Sequence, residues 1–254
     1  MISKNDLKYY SSLLVKKFRQ QENKFIVEGI KIVEEGINSN HNCEVVFVTP
    51  AFAEDSTDFL NLIRKKTNNI LEVKSSDFQR LSDTKSPQGI AAVFEKHIPK
   101  KKITEIKDKY LVLIDNVSDP GNLGTIMRTS DWFGFYNILI SNNSVEYLNP
   151  KVIRATMGSI FHLNIYDSIL ENDLINLKKC GYNLLCSDTK GKNIFNYKPD
   201  KKIIVTFSNE ASGPSELIAN LIDEKITIPG KGRAESLNVS SAAAIILSKL
   251  SNES

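Results

Sequence analysis

Cysteine and histidine are scarce in this chain, with three of each in 254 residues: Cys43, Cys180 and Cys186, and His41, His97 and His162. The cysteines are odd in number, far apart and set among apolar neighbours. That argues against a disulfide framework or a zinc site, and the three read as reduced core residues of a cytoplasmic protein. The histidines are equally scattered along the sequence, without metal-ligand spacing, so no metal is expected. Long apolar runs are also missing. The first ten residues are polar, unlike a secretory signal, and the apolar stretch 242–247 is far too short to cross a bilayer. Charge of one sign is modest: 33 Lys and Arg against 30 Asp and Glu leave +3, with a pI near 8.6. That permits a polyanionic partner without requiring one. The excess is uneven, since Lys4, Lys8, Lys16, Lys17, Arg19 and Lys24 make the first turns basic and Lys96 with Lys100, Lys101 and Lys102 form a second run. On charge alone these read equally as solvated faces or as contacts for nucleic acid.

What is present is a repeated alternation of strand-like and helix-like segments. After a leading helix over residues 6–19, strands are predicted at 24–28, 45–48, 69–73 and 90–94, with helices at 30–37, 56–66 and 75–81. The lysine-rich residues 98–109, which contain Pro99, read as a linker. The alternation then restarts. Strands are predicted at 110–114, 137–140, 183–186, 203–207 and 226–228, and helices at 125–133, 151–157, 172–180, 214–221 and 239–250. The simplest reading is an α/β protein of two domains, residues 1–97 and 110–254.

Three segments of the second domain depart from this pattern, each just after a predicted strand. In open α/β sheets, ligands bind at the carboxyl ends of strands. The first segment runs from Asp115 through Asp119-Pro120-Gly121-Asn122-Leu123-Gly124 to Arg128. Asn122 is placed to cap the following helix, whose apolar stripe is Leu123, Ile126 and Met127. Arg128 falls beside that stripe. It reads either as a half-buried guanidinium that needs an oxygen-rich partner or as an arginine lying over the sheet. The second segment, 206–214, is small and turn-forming around one carboxylate, Glu210. Small residues admit a ligand to the backbone, although a plain loop with Glu210 facing a helix N-terminus has the same composition. The third, 228–238, joins a glycine-containing turn to Ser236 and Asn238, either of which can cap the last helix. A cap accounts for one polar residue and leaves the rest of that dense run unexplained. Gly121 and Gly124 lack the spacing of a dinucleotide fingerprint, and no phosphate loop, nucleophile elbow or histidine base is found.

Taken together and in order, the three segments resemble the motifs of the SpoU–TrmH family of RNA ribose 2′-O-methyltransferases, of the SPOUT class. Asp119 through Arg128 resembles the first motif, Ser208 to Gly213 the second, and Ile228-Pro229 with Ser236-Leu237-Asn238-Val239-Ser240 the third. Asn149-Pro150-Lys151-Val152-Ile153-Arg154 to Ser159 is similar to a further segment of that catalytic domain. The N-terminal part, with Lys24 to Gly29 and Pro87-Gln88-Gly89-Ile90, looks like an L30e-like RNA-binding domain. The arrangement is similar to that of the thiostrepton-resistance type of ribosomal RNA methyltransferase. Two departures stand out. The second motif usually runs Gly, small, Glu, Gly, and here reads Ser208, Asn209, Glu210, Ala211; Gly230 stands where many relatives have Met.

The resemblance implies an L30e-like substrate-binding domain at 1–97, a linker at 98–109 and a SPOUT domain with a C-terminal trefoil knot at 110–254. It implies S-adenosylmethionine as cofactor, held by Asp188, Thr189, Ser208, Asn209, Glu210, Gly213, Ile228, Pro229, Ser236, Leu237 and Asn238. Arg128 is the implied activator of the ribose hydroxyl, with Asn122, Glu210, Ser236 and Asn238 orienting it and the loops. An arginine is effectively always protonated, so the expected role is a cation that stabilises the developing alkoxide. Arg154, Arg19 and Lys17 are the expected RNA contacts, in a homodimer with a shared active site. Ribosomal RNA is favoured over transfer RNA as substrate. The rival readings are a transfer RNA 2′-O-methyltransferase, a catalytically silent RNA-binding assembly factor of the same fold, and a nucleotide-dependent oxidoreductase.

Overall fold

The computed structural model describes residues 2–209 and 212–253. In chain order the first part contains α1 (Lys4–Ser12), α2 (Lys16–Glu22), β1 (Lys24–Glu28), α3 (Ile30–Asn38), β2 (Cys43–Val48), α4 (Pro50–Asp55), α5 (Thr57–Arg64), β3 (Ile70–Glu72), α6 (Ser75–Phe78) and β4 (Ile90–Glu95). Then come β5 (Tyr110–Asp115), α7 (Pro120–Trp132), β6 (Asn137–Ser141) and α8 (Pro150–Thr156). The rest is β7 (Asn164–Ile169), α9 (Glu171–Lys179), β8 (Tyr182–Asn193), β9 (Lys202–Ser208), α10 (Glu216–Ala219), β10 (Glu224–Thr227) and α11 (Val239–Ser251). These elements form two compact units, residues 1–97 with 146–162, and residues 98–145 with 163–254.

The first unit is built on a mixed sheet in the order β1-β4-β2-β3, counted among the described residues. One face buries Ile26, Val45, Phe47, Ala91 and Val93 against Leu7, Leu13, Phe78 and Leu81. The other carries Phe25 and Phe94, which meet Phe161 from the 146–162 segment. Gly36 of α3 is needed for this closeness, because a Cβ there would come within 2.7 Å of the Phe161 ring. Residues 146–162 were expected in the second domain, and here they pack with residues 1–97. The physical reasons are ring packing, two ion pairs, Arg19 to Glu146 and Arg154 to Asp83, and the contact of His162 with Glu35. The single leading helix predicted over 6–19 is broken between α1 and α2, where Leu13 is fully buried and its carbonyl accepts a 2.9 Å hydrogen bond from Arg19 Nη1. Tertiary burial overrides helical propensity at that point.

The second unit is a fully parallel sheet in the order β10-β8-β9-β5-β6-β7 among the described residues. Every residue of the central β5 is buried, as expected for a strand covered on both faces. Leu111, Leu113, Leu139, Leu184 and Ile204 pack with Leu174 and Leu177 of α9 and Ile218 of α10, while α7 and α11 pack against each other elsewhere in the unit. Strand β7 was not predicted, since its half-exposed, polar sequence hides the alternation. Strand β8 runs seven residues past the predicted end at Cys186, through the half-buried Ser187 and Asp188 to the exposed Thr189 and beyond. Gly191 allows this, because a Cβ there would meet the Lys225 backbone of β10 at 2.6 Å.

The cysteines need correction, and the histidines come together in space. Far apart in sequence, the His41 and His97 rings lie 5.1 Å apart, and His162 pairs with Glu35 at 3.2 Å within the same unit. Cys180 is exposed, not a core residue; Cys186 is buried and Cys43 is half-buried. Burial, with His97 and His162 adding like charge, pushes His41 down to about 4. The folded protein therefore binds this proton less readily than the unfolded chain, whose histidine titrates near 6.5. Stability of the first unit should be full above that value and fall as pH drops toward 4. Urea titrations at pH 7 and pH 5 are expected to show this loss, and His41→Gln should remove most of it; an unchanged loss would assign the acid sensitivity to other groups.

Candidate active site

The parallel order places the carboxyl ends of β5, β8, β9 and β10 along one edge, and three loops leave from there. The first loop starts after Asp115. Asn116 takes a positive φ of 57°, and the N–H groups of Asn116 and Val117 donate to the Ser141 and Ser144 hydroxyls. Asp119 then caps α7: its Oδ1 accepts the Asn122 N–H at 2.7 Å, with Pro120 at the first helical position. The expectation that Asn122 is the cap is thereby corrected. The helix begins earlier than predicted, Asp119 takes the capping role, and the Asn122 side chain is released for another partner.

That partner is in the third loop. Asn238 Nδ2 donates to Asn122 Oδ1 at 2.9 Å, while Asn238 Oδ1 accepts from the Ser240 N–H at 2.9 Å and its hydroxyl at 2.6 Å, capping α11. One asparagine both starts a helix and joins two loops that are 116 residues apart in sequence. The second loop follows Ser208. Its turn is closed by the Gly213 N–H on the Asn209 carbonyl and the Ser212 N–H on Asn209 Oδ1. Glu210, assigned both catalytic and cofactor roles from sequence, lies with Ala211 outside the described residues.

The second and third loops enclose a cleft of about 490 Å³, well within the range of small-molecule and cofactor sites. Its lining includes Asp188 and Thr189 of β8, Ser208, Asn209 and Gly213 of the second loop, and Ile228, Pro229, Ser236 and Leu237 of the third. The structure thus brings together these nine sequence-nominated residues. Asn238 stays off the lining and acts through its caps and ties. Sequence reasoning missed Ser187, Thr227, Lys231 and Val239, which also line the cleft. Ser187 was misplaced because β8 was ended too early, and Thr227 sits where the strand-end rule would have found it.

Of the charged residues that line the cleft, Asp188 is ion-paired, and a second pair lies nearby on β8 and β10. Lys225 contacts Asp188 at 2.7 Å, and Lys192 contacts Glu224 at 3.1 Å. Partial burial works to raise the Asp188 carboxyl, but the hydrogen bonds from Lys225, the Lys190 backbone and Thr189, with the Lys225 charge, together outweigh it and hold the group below the usual carboxylate range. Burial pushes the Cys186 thiol up to about 11, which makes it a neutral residue and a poor nucleophile. Arg128 was read from sequence as half-buried. It is instead exposed on α7, without a hydrogen-bond or ion-pair partner among the described residues, and is not part of the cleft lining.

The expected RNA contacts fare differently. Arg19 is 3% exposed and holds Glu146 through two hydrogen bonds of 3.1 and 2.5 Å, so it serves the first unit's interior and is withdrawn as a surface contact. Arg154 is bonded to Asp83 through both terminal nitrogens. Lys17 is exposed.

An open parallel sheet with a small-residue cleft at its strand ends defines an α/β ligand-binding domain joined to a second α/β unit. The chain belongs to the SpoU rRNA Methylase family, which residues 109–248 match, and residues 4–92 match the MRM3-like substrate binding domain. It is 30% identical over 243 residues to the 23S rRNA (guanosine(2553)-2′-O)-methyltransferase RlmP of Bacillus subtilis, covering 95% of this chain and 94% of that one. It is 28% identical to the mitochondrial rRNA methyltransferase 3 of Xenopus tropicalis, covering 74% of this chain and 44% of that longer relative. Among solved structures, one from Porphyromonas gingivalis assigned to the TrmH family of RNA methyltransferases superposes with a TM-score of 0.87 at 30% identity, over 100% of both chains. The SpoU methyltransferase AviRb of Streptomyces viridochromogenes, in complex with AdoMet, shares the fold, with a TM-score of 0.88 at 21% identity over 99% of this chain and 98% of that one.

The tie between the loops can be measured. Asn238→Ala removes the helix cap and the bond to Asn122 together and is expected to cost about 1–2 kcal/mol of unfolding free energy. Asn122→Ala breaks the bond alone and should cost less. Equal losses in urea titrations would show that the cap contributes nothing.

Proposed function

We propose that this chain transfers the methyl group of S-adenosylmethionine to a ribose 2′-hydroxyl of ribosomal RNA. The observation that carries this reading is the cleft itself, because its walls are the second and third motif loops and the first is tied to them by Asn122 and Asn238. The lining fits the cofactor. Positions such as Gly213, Gly230 and Gly232 leave open space around the backbone, Ile228 and the half-exposed Leu237 offer apolar surface for a base, and Asp188 supplies an ionised carboxylate. Bound there, the cofactor supplies an electrophilic methyl group.

The chain's own contribution is positioning and charge. Arg128 is a permanent cation with no competing partner among the described residues, and it stabilises the oxygen that loses its proton. Asn122 and Asn238 hold the loop from which α7 begins. The first unit, a match to a substrate-binding domain, supplies RNA affinity, with Lys17 among its contacts; phosphate contacts make that affinity depend on salt. Ribosomal RNA is preferred over transfer RNA because RlmP and the mitochondrial relative are named for it. Family membership supports a knotted path for the C-terminal segment, and the similarity to the Bacillus subtilis RlmP supports a cytoplasmic site of action.

The active form in this reading is a homodimer. Arg128 lies outside its own chain's cleft, and Trp132, one helical turn along the same face of α7, is 84% exposed. Exposed tryptophans are disproportionately interface anchors. Trp132→Ala is expected to weaken self-association at least about tenfold in sedimentation equilibrium; unchanged association would remove this face from the dimer. Arg128→Ala should lower the methyl-transfer rate constant by about a hundredfold or more while cofactor affinity stays near wild type. Mapping ribose methylation in RNA from cells with and without the gene tests the function as a whole, and a methylation pattern identical in both would overturn it.

A further inference from the structure

We infer that Asp115 and Asn116, at the end of the central strand β5, form a latch that holds residues 212–215 of the second loop in the shape that receives the methyl donor. This rests on the reading of the cleft as the donor's seat and adds two positioning residues to it. Asp115 is fully buried at the end of an otherwise apolar strand. Burying a carboxylate is costly unless its oxygens are hydrogen-bonded, and a packing role alone would be served by valine or isoleucine. Its bonds go to one residue of the second loop: Oδ2 accepts the Ser215 N–H at 2.6 Å and Oδ1 accepts the Ser215 hydroxyl at 3.2 Å. No cation pairs with it among the described residues. Asn116 adopts a left-handed backbone (φ 57°) that asparagine tolerates better than most residues. In that conformation its Nδ2 donates to the Ser212 hydroxyl at 2.9 Å.

Ser212 and Ser215 bracket Gly213 and Pro214, and both of the bracketed residues line the cleft. At its other end the loop leaves Ser208, which the sheet pairs with Asp115 itself. Ser208 is therefore held by the parallel ladder, and Ser212 and Ser215 by two consecutive side chains of the neighbouring strand. A loop already ordered costs nothing to order when a ligand arrives, whereas a released loop is ordered at the expense of affinity. The latch thus acts on donor affinity and leaves the reacting atoms alone.

Calorimetric titration of S-adenosylmethionine into the full-length chain tests this, using Asn116→Gly, Asp115→Ala and Asp115→Asn. Glycine keeps the positive φ and removes only the amide, so Asn116→Gly should fold normally and raise the donor Kd about tenfold. Asp115→Ala should raise it at least as much. Asp115→Asn can accept the Ser215 N–H and donate to its hydroxyl, so its Kd should return to within about threefold of wild type. Hydrogen exchange at residues 212–215 should quicken in Asn116→Gly protein without any ligand, and its rate constant at saturating donor should stay within about threefold of wild type. A wild-type Kd and exchange rate in Asn116→Gly would overturn the latch, as would a lost rate constant at unchanged Kd. Wild-type protein that takes up no donor would overturn the reading of the cleft itself, and since Asn116→Gly does not depend on the buried carboxylate, a failure of Asp115→Ala to fold still leaves that variant to decide.

Discussion

A parallel sheet delivers all its carboxyl ends to one edge but provides nothing to join the loops that leave them. Ladder hydrogen bonds end with the strands, so the loops after β5, β9 and β10 must be connected by side chains or stay separate. Here the connections are short: Asn238 to Asn122, Asn116 to Ser212, and Asp115 to Ser215. Asparagine, serine and aspartate lose little rotamer entropy when fixed, and each has donors or acceptors close to the backbone. This explains the dense runs of small polar residues in the three motif segments better than capping alone. Capping uses one oxygen of Asn238 and one of Asp119, and the remaining groups build a single platform from loops far apart in sequence.

Ion pairing occupies several positive charges and leaves others, Arg128 on α7 and Lys231 in the cleft lining among them, without an ion-pair partner among the described residues. Surface pairs such as Lys192 with Glu224 contribute little to stability, yet they remove their cations from competition for a developing negative charge. Lys225 is occupied by Asp188, Arg154 by Asp83 and Arg19 by Glu146. Arg128 has no such partner among the described residues. A catalytic reading of Arg128 from its motif alone was balanced by a structural one, in which the side chain lies over the sheet. Arg128 is exposed and has no hydrogen-bond or ion-pair partner among the described residues, which favours the catalytic reading over the structural one.

Much of this was legible in the sequence, and the failures have physical causes. Strand 24–28 and the strands around 110–114 and 203–207 were readable because buried strands carry unbroken β-branched and aromatic runs. The cleft residues Ser208, Ile228, Ser236 and Leu237 were readable because strand ends and glycine-rich turns mark them. Helix α7 was started too late because Pro120-Gly121-Asn122 has the composition of a loop, although proline is well suited to a helix's first turn. The membership of residues 146–162 in the first unit could not be read from local pattern. It depends on Phe161 meeting Phe25 and Phe94, and on Arg19 meeting Glu146, contacts made across more than sixty residues. The convergence of three scattered histidine segments is hidden for the same reason.

The face of α7 that carries Arg128 links chemistry to assembly in the proposed mechanism. Gly121, Thr125, Arg128 and Trp132 follow one another at intervals of four, three and four residues, which places them on one exposed stripe. The opposite stripe, with Leu123, Ile126 and Met127, is buried in the unit. A monomer gains nothing from an 84% exposed tryptophan, and burying it against a second copy recovers its apolar area. Because Arg128 shares the stripe, whatever covers Trp132 also comes to lie beside the guanidinium and lowers the dielectric around it. An exposed arginine is a weak electrostatic catalyst in water and a strong one when water is displaced. In that mechanism the contact that satisfies the tryptophan also brings the guanidinium to full effect, and a lone chain would seat a methyl donor without being able to use it.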